Sequence, residues 1–159
     1  MFKMKKNNII FTTSKLFCTF LNIGFFKYMP GTLGSIVGLL IGIFFKSFIS
    51  LEFYIIFILL IFVLAIITIN IYQNKMGKKD RSEIIIDEII GQQIPIILFE
   101  INLLNIFLSF IFFRFFDILK IYPANYIDKN YSNNLGIIGD DVIAGLQASF
   151  LLYLINLIL

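Results

Sequence analysis

Histidine is missing from all 159 residues, and cysteine occurs once, at Cys18. The first absence excludes phosphohistidine chemistry and imidazole general bases. The second excludes a disulfide framework. No arginine-bearing phosphate loop follows Cys18, so cysteine-based phosphoryl transfer has no support. An Asp-x-Asp nucleophile pair and a GxxxxGK loop are absent as well. Charge is scarce: Asp, Glu, Lys and Arg make up 14% of the chain, against about 25% in a typical soluble domain.

What fills the space is apolar. Hydrophobic residues reach 59%, with 20 Phe, more than one small core can bury. A bilayer is the natural solvent for such a chain. The net charge of +3 matters less than where the cations sit. Lys3, Lys5, Lys6 and Lys15 crowd the N-terminus, and Lys75, Lys78, Lys79 and Arg81 crowd one loop. Basic clusters beside spans mark the cytoplasmic side. Nucleic-acid binding is a poor alternative, because no basic stripe accompanies a soluble reading module.

The pattern predicts an all-α, multi-pass membrane helical bundle with short helical hairpins, forming one domain over 1–159. Residues 1–26 have a basic start and an apolar stretch but lack a small-residue cleavage site, which predicts a retained interfacial helix. A first span is expected over about 33–50 and a second over about 53–72, joined by a short turn at Ser47–Glu52. Gly34, Gly38 and Gly42 recur every four residues and align a smooth stripe for close helix packing. Ile84 to Phe99 would rise only ~24 Å, short of the ~30 Å hydrocarbon core. Residues 84–116 are therefore read as a hairpin turning near Glu100-Ile101-Asn102, rather than one tilted span. A polar connection from Lys120 to Gly139 leads to a last helix from Asp141 to Leu159.

Carboxylates inside apolar sequence cost several kcal/mol when unpaired. Asp87-Glu88 lies within IIIDEIIGQQIPII, and Asp140-Asp141 opens DDVIAG before the last helix. Two adjacent pairs are too acidic to coexist in a low-dielectric site without cations. Magnesium takes such oxygen ligands and leaves positions for water and phosphate. Small residues follow each acid by one turn: Asp87 to Gly91, Asp140 to Ala144, Asp141 to Gly145. Residues at this spacing share a helix face. The bland account of Asp140-Asp141 is a helix N-cap. In FFRFFDILK, Arg114, Asp117 and Lys120 fall at three-residue spacing on adjoining parts of a face. A forked donor, a point charge and a carboxylate suit a phosphate; snorkelling ion pairs would look the same. Pro30-Gly31-Thr32-Leu33-Gly34-Ser35 offers unpaired N–H groups and two hydroxyls at a helix start, a geometry that binds anions.

Four ordered blocks, PGTLGS at 30–35, DEIIGQQI at 87–94, FRFFDILK at 113–120 and LGIIGDDVIAG at 135–145, resemble phosphatidylglycerophosphatase A of bacterial membranes. The resemblance runs from Asn22 onward. It implies a helical bundle in the inner membrane, a cytoplasmic active site, Mg2+ dependence and removal of the terminal phosphate of phosphatidylglycerophosphate, giving phosphatidylglycerol. It further implies metal-binding acids at Asp87, Glu88, Asp140 and Asp141, a catalytic acid at Asp117, and phosphate contacts at Thr32, Ser35, Arg114 and Lys120. Two departures concern the loop. Ile121 stands where relatives place proline, with Pro123 nearby, and Asn133-Asn134 stands where they place two glycines.

Two other classes fit parts of the pattern. A proton- or ion-coupled transporter also uses intramembrane acids, although its path needs them at several depths. A non-catalytic membrane subunit would use the small-residue faces for packing alone.

Overall fold

The computed structural model describes residues 2–77, 81–131 and 134–158, with side chains from Asn8 onward. The side chains of Lys3, Lys5 and Lys6, together with Lys78, Lys79 and Asn133, lie outside the described residues. Seven α-helices are present among those described: α1 (Phe2–Cys18), α2 (Pro30–Phe48), α3 (Leu51–Met76), α4 (Ile86–Leu98), α5 (Leu103–Leu119), α6 (Ala124–Asn130) and α7 (Asn134–Ile158). The fold is an all-helical bundle, as the composition predicts. Helices α2, α3 and α7 are long and apolar enough to cross a membrane. Their outward faces carry exposed Leu40, Phe44, Leu59 and Phe150, as lipid-facing helices should.

Residues 84–116 form the expected hairpin, with α4 ending at Leu98 and α5 starting at Leu103. The polar turn fixes this break. Asn102 accepts the N–H of Asn105 at 2.8 Å and caps α5. Lys46 of α2 reaches the other helix end, donating to the carbonyls of Ile96 (2.8 Å), Ile97 (3.0 Å) and Phe99 (2.5 Å).

The glycine stripe of α2 packs on α4. A β-carbon at Gly38 would stand 2.9 Å from the Ile89 carbonyl oxygen, and one at Gly42 would stand 2.9 Å from Ile96. Beside it, buried Tyr54 donates to Gln93 Oε1 at 2.5 Å, and Gln93 Nε2 donates to the carbonyls of Gly38 (2.8 Å) and Ile89 (2.9 Å). This bonding keeps the amide satisfied in an apolar interior. The N-terminal helix α1 packs along α3, with Lys75 Nζ 4.1 Å from the Phe11 ring centre.

Two boundaries differ from the sequence reading, and they exchange the settings of the acid pairs. The last helix begins at Asn134, not Asp141, about two turns earlier. The Asn- and Gly-rich stretch reads as loop, yet Gly136 lets the helix meet the end of α6: a β-carbon there would overlap the Tyr131 carbonyl oxygen at 1.6 Å. Asp140-Asp141 is therefore inside a helix, and the N-cap account fails. Conversely, Asp87-Glu88 occupies the first turn of α4. The apolar residues before it, Ile84 and Ile85, are buried loop, anchored by the Ile85 N–H to the Cys18 carbonyl at 3.0 Å.

Candidate active site

Helices α4 and α7 cross where each has a glycine. A β-carbon at Gly145 would stand 2.4 Å from the Gly91 carbonyl oxygen, and one at Gly91 would stand 2.7 Å from the Asp141 carbonyl oxygen. Pro95, four residues after Gly91, has no N–H to offer that carbonyl. The backbones can therefore touch at this point, and the acids one turn earlier on each helix converge. Carboxylate oxygens of Asp87, Glu88 and Asp141 all lie within 4.8 Å of one another.

The trio forms part of the wall of a cavity of about 490 Å³. Among the described residues, six acids line it, namely Asp87, Glu88, Asp117, Asp128, Asp140 and Asp141, against three cations, Arg81, Arg114 and Lys120. The imbalance leaves a negative hollow that calls for added positive charge.

On one side stands Arg114 of α5. Its Nη1 donates to Asp117 one turn on and to Ser35 Oγ of α2 at 3.2 Å. Ser35 is fully buried, and its hydroxyl donates to the Gly31 carbonyl at 2.9 Å. Ser35 thus stands behind Arg114 rather than on the cavity wall, while Thr32 and Gly31 reach the wall. Gly31 leaves room for the Glu88 carboxylate, since a β-carbon there would meet Glu88 Oε1 at 2.4 Å and make that side chain shift.

On the other side, Lys120 closes α5 with a left-handed backbone (φ 44°), turning the chain toward α6. Its ammonium sits between Asp128 (2.5 Å) and Asp140 Oδ2 (2.7 Å). Burial alone would lower its pKa, but these carboxylates outweigh burial and hold it above the ordinary lysine value.

The structure therefore brings eight of the nine expected residues to one cavity, with Ser35 immediately behind it. Asp140 stands apart from the carboxylate trio because Lys120 engages it. Asp128, Tyr131 and Arg81 line the cavity without having been singled out for it in the sequence. Asp128 follows Lys120 by eight residues across a proline-led turn, a separation that carries no periodic signal.

A hard divalent cation fits the trio. The donors are all carboxylate oxygens. Glu88 Oε2 and Asp140 Oδ1 are buried without a hydrogen-bond partner, a costly state unless a ligand engages them.

The family model for phosphatidylglycerophosphatase A matches residues 16–156. A phosphatidylglycerophosphatase A of Haemophilus influenzae is 35% identical over 130 residues, covering 80% of this chain and 78% of the relative. The Escherichia coli protein of the same name is 27% identical over 134 residues, covering 84% and 77%. A Bacteroides thetaiotaomicron relative named for a phosphatidylinositol-3-phosphatase activity is 29% identical over 136 residues, covering 81% and 84%. No solved structure matches the chain. With its apolar helices and carboxylate-lined cavity, this chain belongs to the phosphatidylglycerophosphatase A family and is a phosphoric monoester hydrolase.

Proposed function

We propose that the chain removes the terminal phosphate of phosphatidylglycerophosphate, giving phosphatidylglycerol and inorganic phosphate, and that it requires Mg2+. The observation that carries this reading is the convergence of Asp87, Glu88 and Asp141 from two helices in a cavity that also holds Arg114 and Lys120. Asp87, Glu88 and Asp141 would hold the cation, while Asp140 stays with Lys120. When bound, magnesium supplies Lewis-acid charge at the phosphoryl oxygens and lowers the pKa of water.

The chain's own groups do the rest. Arg114 and Lys120 hold phosphoryl oxygens and stabilise the charge that builds up as the P–O bond to glycerol breaks. Ser35 and Asp117 fix the Arg114 fork, and Asp140 and Asp128 fix Lys120. Thr32, in the first turn of α2, offers a hydroxyl and backbone N–H to the same anion. Glu88 accepts the proton of the attacking water through Oε2. Asp117 is already engaged by Arg114 and serves to hold it.

Met29 and Ile118 line the cavity and are 67% and 63% exposed. They mark a lateral opening between the start of α2 and the end of α5, through which a lipid headgroup enters while its acyl chains stay in the bilayer. The cavity lies toward the end of α3 that carries Lys75 and leads into the loop holding Arg81, and the positive-inside rule supports a position on the cytoplasmic face of the inner membrane. Purified protein supplied with phosphatidylglycerophosphate should release phosphate with magnesium and stop on chelation. No release under the first condition would refute the assignment.

A further inference from the structure

Among the described residues, the chemistry above leaves one cavity cation unused. Arg81 belongs to a loop whose charges read as topology signals, and such a side chain normally reaches out to headgroups or water. Here it folds inward: its side chain is 18% exposed and lines the cavity. Nε donates to Glu83 Oε1 at 2.5 Å, and Nη1 donates to the Met76 carbonyl at 3.4 Å. The guanidinium carbon lies 5.7 Å from the Tyr72 ring centre. Glu83 is steered in turn by Tyr72, whose hydroxyl donates to the same Oε1 at 3.1 Å. Burial would raise the Glu83 carboxyl, but the bond from Arg81 outweighs it and holds the group below its usual value. Buried Tyr72 of α3 thus orients Glu83, which orients Arg81. A guanidinium held in one direction at a cavity wall is pre-organised for an anion.

The proposed substrate carries two phosphates on either side of a glycerol. The monoester is cleaved and the diester is kept. Arg114 and Lys120 flank the acid trio and serve the monoester. Among the described residues, Arg81 is the third cation that lines the cavity. We propose that Arg81, oriented by Glu83 and Tyr72, holds the phosphodiester of the lipid and so favours substrates with a second phosphate beyond the one removed. This rests on the function proposed above. The two bonds described engage two of its five N–H donors, and a forked donor suits the two free oxygens of a diester.

The two reaction products separate the subsites, since phosphatidylglycerol keeps only the diester and inorganic phosphate resembles only the monoester. Inhibition by each is measured on the purified full chain in non-ionic detergent micelles, where no bulk phospholipid supplies a competing diester. In Arg81→Gln the inhibition constant for short-chain phosphatidylglycerol should rise about tenfold relative to that for phosphate, the usual scale for one charge-assisted hydrogen bond. The catalytic loss should fall on KM rather than kcat. Glu83→Gln keeps the cation but releases its orientation, and should shift the same ratio by a smaller factor. Arg81→Lys should restore part of it. An unchanged ratio in Arg81→Gln, with or without a general loss of activity, would overturn the proposal and leave Arg81 a structural ion pair. If the parent releases no phosphate from phosphatidylglycerophosphate at all, the functional reading fails first, and that failure is visible before any variant is made.

Discussion

Gly145 and Gly91 meet backbone to backbone, so close that a β-carbon on Gly145 would stand 2.4 Å from the Gly91 carbonyl oxygen. This contact sets the separation of α4 and α7 one turn away from Asp87 and Asp141, and therefore the spacing of the acids. Gly145→Val should force the helices apart. A misplacement of ~1 Å is enough to lower activity about 100-fold, and overpacking should cost ~1–3 kcal/mol of stability. Phosphate release and thermal unfolding in detergent report the two effects. Leu146→Val, at an exposed neighbouring position, serves as control. Parental activity in Gly145→Val would mean that the glycine contact does not position the acids.

Removing charge from the trio tests the metal reading directly. Glu88→Gln and Asp141→Asn keep side-chain volume but lose ligand charge, and each should lower phosphate release by at least ~100-fold. Binding to the folded state alone raises the unfolding temperature. Magnesium should therefore stabilise the parent against heat, with the shift reversed by chelator and much reduced in both variants. A parent whose unfolding ignores magnesium would sink the three-carboxylate metal site even if activity survived.

Arg114 is held from behind, and that arrangement is also testable. Ser35→Ala removes the hydroxyl that accepts from Nη1 and donates to the Gly31 carbonyl. The guanidinium is a charged donor, whose hydrogen bonds contribute about 1.5–3 kcal/mol, so kcat/KM should fall roughly 10-fold or more. Arg114→Ala should cost much more, and adding Ser35→Ala to it should change little further, because residues acting through one partner are not additive. Independent, multiplying losses would show that Ser35 acts on the substrate rather than through Arg114.

These relationships were unequally visible in the chain. The spans, the hairpin at Glu100–Asn102 and the grouping of Asp87, Glu88, Asp140 and Asp141 follow from hydropathy and from the cost of burying charge. The true start of α7 does not, because Asn134 to Gly139 has the composition of a loop and becomes helical by packing on α6. Which of four acids form the trio was equally hidden. It depends on Lys120 engaging Asp140, a contact across 20 residues. Arg81 and Lys46 look like ordinary span-flanking cations in the sequence. Only their inward direction, set by Glu83 for one and by the end of α4 for the other, separates them from that class.

Lys46 gives a prediction about stability with little bearing on chemistry. It caps the last turn of α4 by donating to three carbonyls, at the helix end away from Asp87 and Glu88. Methionine has similar length and no donor, so Lys46→Met should leave those carbonyls uncapped in an apolar setting. Hydrogen bonds to a charged donor contribute about 1.5–3 kcal/mol, and a loss of that size should lower the unfolding temperature by several degrees. The site lies beyond Gly91, so kcat should stay within about twofold, as expected for distant, independent positions. Lys46→Arg should recover most of the stability, since a guanidinium can also reach several carbonyls. Unchanged unfolding in Lys46→Met would show that the hairpin is held by the α2–α4 glycine packing alone, with the lysine adding nothing measurable.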